Sequence, residues 1–168
     1  LGGRASVLLG DYWLVKGIES VLSVNTFSGK VIRIFSNTLS DLAEGELLQL
    51  QKADTCDTTE SDYYRIIYNK TASLFVASAN TAAISVSASD EKRKAAKLYA
   101  ECLGIAFQIK DDIFDYEGGD LTGKPSGLEL EERKITLPLL GAFVNAGEAM
   151  EKEIRALVAR ADEDADSR

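Results

Sequence analysis

The sequence contains no histidine, and it has only two cysteines, two prolines and one tryptophan. Ser-His-Asp catalysis, Cys-His catalysis and the common zinc sites all need an imidazole, so the missing histidine excludes them. A bound metal would therefore be a hard ion held by oxygen ligands. Cys56 and Cys102 form no Cys-x-x-Cys motif, which favours a reducing compartment, and we expect the cytoplasm.

Basic residues are fewer than acidic ones. The chain has 19 Lys and Arg and 27 Asp and Glu, which gives a net charge of −8. Such a surface repels phosphate backbones, so we expect no nucleic-acid partner. No apolar run is long enough to span a bilayer, and we expect no signal peptide and no stable membrane insertion. The chain starts at Leu1 and ends at Arg168 within helical patterns. We expect a fragment, incomplete at the N-terminus and at the C-terminus.

Apolar residues recur at spacings of three and four along most of the chain, which predicts an all-α protein. Thr58 or Thr59 is the predicted N-cap of the third helix, with acidic residues in its first turn. The predicted helices cover 4–24, 30–52, 58–86, 89–116, 135–145 and 149–161. The predicted buried stripes are Val7, Leu8, Tyr12, Val15 and Ile18 in the first helix, and Ile34, Leu39, Leu42, Leu47 and Leu50 in the second.

Three aspartates, Asp111, Asp112 and Asp115, lie in a segment otherwise apolar enough to be a core helix. Helical geometry places 111 and 115 on one face with 112 beside them and Gln108 one turn earlier, so we expect the three carboxylates to converge. Clustered like charges destabilise a helix, and Mg²⁺ offsets that cost while sharing positions with water and substrate phosphates. A lone Asp-Asp-x-x-Asp is equally compatible with a solvated face paired with Lys110.

The segment after this helix, 117–134, is rich in glycine and charge and predicts a long irregular loop of the functional kind. Lys124 lies within it and Lys134 at its end. Such a loop can fold back over the acidic cluster and bring cationic donors to phosphate oxygens, which favours a metal and phosphate site over a solvated face.

Further motifs accompany the acidic cluster in a fixed order: Gly10-Asp-Tyr12, Glu44-Gly-Glu46 with Gln49, Lys70-Thr71, Phe107-Gln108, Gly123-Lys124 and Lys134-Ile-Thr-Leu-Pro138. Together they resemble the trans-isoprenyl diphosphate synthases, the polyprenyl synthetase family, with 111–115 as the second aspartate-rich motif. The resemblance extends from residue 1 to about residue 142. It implies an isoprenoid synthase helical bundle, present as a single partial domain over 1–168.

The resemblance also implies an activity: Mg²⁺-dependent condensation of isopentenyl diphosphate with an allylic diphosphate by ionisation, condensation and elimination. By the same similarity, Lys70, Lys124 and Lys134 would contact diphosphate, whereas Gln108 and the Thr71 carbonyl would stabilise the allylic cation. Asp111, Asp112 and Asp115 would hold Mg²⁺. Glu46 and Gln49 match a polar signature to which we assign structural hydrogen bonding. The family resemblance further implies a homodimer.

Two departures from the family keep other interpretations open. The first aspartate-rich motif is missing from these 168 residues, so we expect the fragment alone to be inactive, and a non-catalytic partner subunit of a prenyl diphosphate synthase is an alternative. A class I terpene cyclase is a further alternative, disfavoured by Lys70-Thr71 and by the lysine motifs after the acidic cluster. Glu129 also stands where relatives commonly carry aspartate.

Small side chains follow Lys70 along one face of the third helix, with Leu74, Ala77, Thr81 and Ser85 at helical spacing. Small residues allow either close helix packing or an open channel. Because the family extends its product into a tunnel between helices, the resemblance implies that this face lines the tunnel.

Overall fold

The structure, a computed structural model, describes residues 2–24, 26–117 and 127–161. All regular secondary structure in these ranges is helical, which confirms the all-α prediction. The helices are α1 (Gly3–Leu22), α2 (Ser28–Thr55), α3 (Glu60–Ile67), α4 (Ser73–Ser85), α5 (Asp90–Glu117), α6 (Leu128–Glu131) and α7 (Leu137–Val158), with a π-helical turn (Tyr68–Ala72) between α3 and α4.

The predicted third helix begins where its capping residues indicate. The Thr59 Oγ1 accepts a hydrogen bond from the Asp62 backbone N–H at 3.1 Å, and the Asp62 Oδ2 accepts one from the Thr59 N–H at 3.0 Å. This reciprocal pair is a capping box, which satisfies two N–H groups that the helix leaves without partners. The helix does not run uninterrupted to its end, because the π-helical turn separates α3 from α4.

The π-helical turn lies between α2 and α5, and a glycine on each helix allows the close approach. A Cβ on Gly45 would lie 2.7 Å from the Cβ of Asn69, and a Cβ on Gly104 would lie 2.6 Å from the Cα of Ala72. Both distances are shorter than van der Waals contact, so neither position accommodates a side chain without movement. The wide turn that carries Lys70 is therefore held against two helices at backbone distance.

The apolar core of the described residues lies where α3 and α7 pack together. Its buried members are Cys56, Tyr63, Ile67, Ile135, Leu140, Phe143 and Val158. Arg155 of α7 lies 4.4 Å from the Phe143 ring centroid and donates hydrogen bonds to the carbonyl oxygens of Cys56 and Thr58, at 2.9 and 3.3 Å. Arg155 thereby attaches α7 to the connection that precedes α3.

The predicted buried stripe of the first helix is wrong. No residue of α1 is buried, and Val7, Leu8, Tyr12 and Val15 are each at least half exposed. Periodicity identifies the apolar face of a helix but not its neighbour, and α1 packs mainly on α2.

The predicted stripe of the second helix is wrong at Leu47 and Leu50, which are more than half exposed. The fully buried residues of α2 are instead Thr38 and Gly45. The inner face of α2 is small and polar because it contacts the π-helical turn.

The last predicted pair of helices, 135–145 and 149–161, is present as two helical segments that meet at a kink. α7 runs from Leu137 to Val158 with a kink at Gly147, whose φ of 76° lies in the left-handed region that glycine tolerates. Part of the predicted loop is also ordered, since Leu128–Glu131 forms the single-turn helix α6. Among the described residues, no helix has both the length and the apolar character needed to cross a membrane.

Candidate active site

A cavity of about 200 Å³ lies where α2, α3, the π-helical turn, α5 and the segment before α7 meet. Its polar lining comes from residues far apart in the chain, among them Gln49, Tyr63, Lys70, Gln108, Asp112, Glu129 and Lys134. Four of the predicted site residues, Lys70, Gln108, Asp112 and Lys134, therefore share one cleft. Lys124 lies outside the described residues.

Lys70 reaches the cleft from the π-helical turn and is held by α2. Its Nζ lies 2.7 Å from a carboxylate oxygen of Glu46 and donates to the side-chain oxygen of Gln49. The hydrogen bond from Lys70 lowers the pKa of Glu46 below its ordinary value. The polar signature that the sequence analysis noted on the second helix thus contacts Lys70.

Thr71 and Gln108 begin a chain of side-chain hydrogen bonds. The Thr71 hydroxyl donates to Gln108 Oε1 at 2.6 Å, and Gln108 Nε2 donates to Asp112 Oδ1 at 2.7 Å. Tyr63 donates its hydroxyl to Asp112 Oδ2 at 2.6 Å. Thr71, expected to act through its carbonyl, therefore also contacts Gln108 through its hydroxyl. Tyr63 was missed by the sequence analysis.

The three aspartates do not converge as expected. Asp112 is 2% exposed, whereas Asp111 and Asp115 are only partly buried. In the part of the chain that the structure describes, no three acidic, cysteine or histidine side chains form a group that could hold one metal ion. Successive helical residues differ by about 100° in direction, so Asp112 turns towards α3 and away from its neighbour. Burial raises the pKa of Asp112 above its ordinary value, although the hydrogen bonds from Tyr63 and Gln108 act to lower it.

Glu129, whose role could not be inferred from the sequence, also lines the cavity. Its backbone N–H donates to Asp115 Oδ2 at 3.3 Å, and its Oε2 is buried without a hydrogen-bond partner. Burial, followed by the charges of Asp112 and Asp115, raises the pKa of Glu129 to about 7. The sequence signal was an acidic residue where relatives commonly carry aspartate, and an acidic residue in a glycine-rich loop is ordinarily exposed.

Lys134 lines the same cavity and forms an ion pair with Glu132. It joins Lys70 as the second of the predicted diphosphate-binding lysines in the cleft. Because Lys70 comes from the π-helical turn and Lys134 from the segment before α7, cationic donors reach the cleft from two separate elements. Two lysines near carboxylates and an amide form a site suited to an anion that carries a hard metal ion.

The helical fold and this cleft define the class, the isoprenyl synthase helical proteins. A polyprenyl synthase from Caulobacter crescentus, solved in complex with calcium and isoprenyl diphosphate, superposes with a TM-score of 0.85 at 35% identity, covering 95% of this chain and 48% of that chain. A decaprenyl diphosphate synthase from Rhodobacter capsulatus gives a TM-score of 0.84 at 36% identity, covering 95% of this chain and 49% of that chain.

The sequence comparisons lead to the family itself. The polyprenyl synthetase family model matches residues 1–168, and the chain belongs to that family. It is 41% identical over 143 residues to the octaprenyl diphosphate synthase of Escherichia coli, a match that covers 84% of this chain and 44% of the relative. The chain thus spans less than half the length of that relative.

Proposed function

We propose that the complete protein is an all-trans polyprenyl diphosphate synthase, a prenyltransferase that condenses isopentenyl diphosphate with an allylic diphosphate. The observation that carries the proposal is the single cleft that contains Lys70, Gln108, Asp112 and Lys134. The octaprenyl diphosphate synthase of Escherichia coli, at 41% identity, supports it. The carbon–oxygen bond of the allylic substrate breaks, a carbon–carbon bond forms to isopentenyl diphosphate, and a proton passes to a diphosphate oxygen.

In this reaction Lys70, Lys124 and Lys134 bind diphosphate oxygens, because the departing diphosphate gains negative charge as the allylic cation forms. Gln108 and Thr71 face that cation with an amide oxygen and a backbone carbonyl. These are dipolar groups that stabilise positive charge without forming a bond to it. Each of these residues binds or orients, and none needs to act as a proton-transfer base.

Magnesium is the metal we propose, and the donor set fits a hard dication. Asp111 and Asp115 would supply carboxylate oxygens, and Mg²⁺ in proteins commonly takes one or two carboxylates with its other positions on water and substrate phosphates. When bound, the ion neutralises charge on the diphosphate. Asp112, predicted as a third ligand, instead accepts protein hydrogen bonds with both oxygens.

The proposal extends to a cytoplasmic homodimer. The homodimer is proposed from the family resemblance alone. Light scattering on the complete protein should give twice the chain mass. A complete wild-type protein that is monomeric at micromolar concentration would refute this part.

The activity is tested with the complete protein, isopentenyl diphosphate, a short allylic diphosphate and Mg²⁺, with the products sized by chromatography. Asp111→Asn and Asp115→Asn should each reduce kcat/KM at least about tenfold, because each removes a charged oxygen donor. Asp90→Asn, at the exposed far end of the same helix, is the matched control and should leave it unchanged. Absence of elongated product, or cyclic hydrocarbons in its place, would refute the proposed function.

A further inference from the structure

Tyr63 is a buried residue that neither the motifs nor the proposed chemistry employs. Its side chain belongs to the apolar core between α3 and α7 and is 2% exposed, yet its hydroxyl reaches the cleft. That hydroxyl donates to Asp112 Oδ2 at 2.6 Å, across 49 positions of sequence. A buried phenol on a buried carboxylate is a strong, charge-assisted contact, and removal of the donor leaves the acceptor unsatisfied.

The hydrogen-bond inventory of Asp112 fixes the orientation of its other neighbour. Both oxygens of Asp112 accept hydrogen bonds, one from the Tyr63 hydroxyl and one from the Gln108 amide. Gln108 therefore turns its Nε2 towards Asp112, at 2.7 Å, and its Oε1 towards the Thr71 hydroxyl, at 2.6 Å. An amide has one donor end and one acceptor end, so this arrangement settles which end lies beside Thr71.

We propose that Tyr63 is a positioning residue that holds Asp112 in place and thereby keeps the amide oxygen of Gln108 directed towards Thr71 and the cleft. This inference rests on the proposed function, in which that oxygen faces the allylic cation. Without the phenol oxygen, one buried oxygen of Asp112 loses its donor. The carboxylate then turns to recover a partner, and the Gln108 amide turns with it.

The kinetic test is Tyr63→Phe in the complete protein, assayed with isopentenyl diphosphate and an allylic diphosphate. The expected result is a fall in kcat of about ten- to a hundredfold, the scale of losing a group that orients a reacting partner, with both KM values changed less than about twofold. kcat is expressed per folded molecule, measured by circular dichroism. Tyr64→Phe is the control, because Tyr64 is 38% exposed and contacts only the edge of the Tyr63 ring among described aromatic pairs.

A second measurement is independent of turnover. In protein labelled with ¹⁵N-glutamine, the side-chain signal of Gln108 is assigned by its disappearance in Gln108→Glu, and Tyr63→Phe should shift it while Tyr64→Phe should not. An unchanged kcat, or an unshifted Gln108 signal, overturns the inference about Tyr63. An inactive wild-type protein overturns the proposed function instead. In that case the shift of the Gln108 signal still tests whether Tyr63 holds the orientation of the Gln108 amide.

Discussion

Replacement of Gly104 by alanine tests whether close backbone packing holds the π-helical turn in place. The new Cβ would lie 2.6 Å from the Ala72 Cα, 2.9 Å from its Cβ and 3.3 Å from the Phe75 Cδ2. Carbon atoms in van der Waals contact lie about 3.5–4.0 Å apart. The helix α5 and the turn must therefore separate by about 1 Å, and because Ala72 contributes backbone, no rotamer change relieves the contact.

The expected change in stability combines two opposite effects. Overpacking of a closely packed site destabilises by about 1–3 kcal/mol, whereas alanine favours a helix over glycine by about 1 kcal/mol. We expect Gly104→Ala to lower the free energy of unfolding by about 1–2 kcal/mol, since the clash with backbone places it in the upper part of the overpacking range. A shift of about 1 Å at Lys70 and Thr71 should also lower kcat/KM by as much as about a hundredfold.

Urea denaturation of the complete protein measures the first effect, and the steady-state assay measures the second. Gly141→Ala is the matched control, because Gly141 is an exposed helical glycine and a Cβ added there would have no atom within 4 Å. It should stabilise by up to about 1 kcal/mol and leave activity unchanged. If Gly104→Ala is as stable and as active as Gly141→Ala, the close packing of the turn does not matter and this reasoning is refuted.

Three further predictions concern the proposed tunnel face, the helix cap and the proposed diphosphate site. Ala77→Phe should shorten the products by filling the face that continues from Lys70, and chromatographic sizing that shows unchanged lengths would contradict it. Asp62→Asn should destabilise by about 1 kcal/mol at pH 7. The hydrogen bonds from Thr59 hold the pKa of Asp62 below its ordinary 3.8, so its contribution is present above that pH and is lost as pH falls through the lowered pKa. As pH falls, the free energy of unfolding should therefore decrease less for Asp62→Asn than for wild type. Equal decreases would contradict the stabilising role of the Thr59–Asp62 capping box. Lys70→Gln should lower kcat/KM for the allylic diphosphate by about ten- to a hundredfold through loss of a charged hydrogen bond, whereas Lys92→Gln on the exposed start of α5 should leave it unchanged.

Local features of the fold were predictable because they depend on neighbours in sequence. The capping box at Thr59 and Asp62 follows from its two partners lying three residues apart. The interruption of the last helix near Gly147 was also predictable and is present as a kink. The exposure of the predicted apolar stripe of α1 was not, because burial depends on which other elements cover a stripe, and periodicity does not identify them.

The candidate site also contains residues that were predictable from sequence and residues that only the structure identifies. Sequence motifs predicted Lys70, Gln108 and Lys134 as site residues, and all three line one cleft in the structure. Tyr63 was not recognised as a site residue, and the role of Glu129 was not resolved, because each interacts with Asp112, which is remote from both in the sequence. Neither a tyrosine in a core helix nor a glutamate in a charged loop is unusual by itself.

The sequence by itself determined the helical class, the helix starts and the family, because periodicity, caps and motifs are encoded over a few residues. Only the tertiary structure decided that Asp112 turns inward to Tyr63 and Gln108 while Asp111 and Asp115 remain partly exposed. The physical reason is that a carboxylate's partners and solvation depend on the helices packed around it. Three aspartates that are alike in sequence thereby acquire different surroundings.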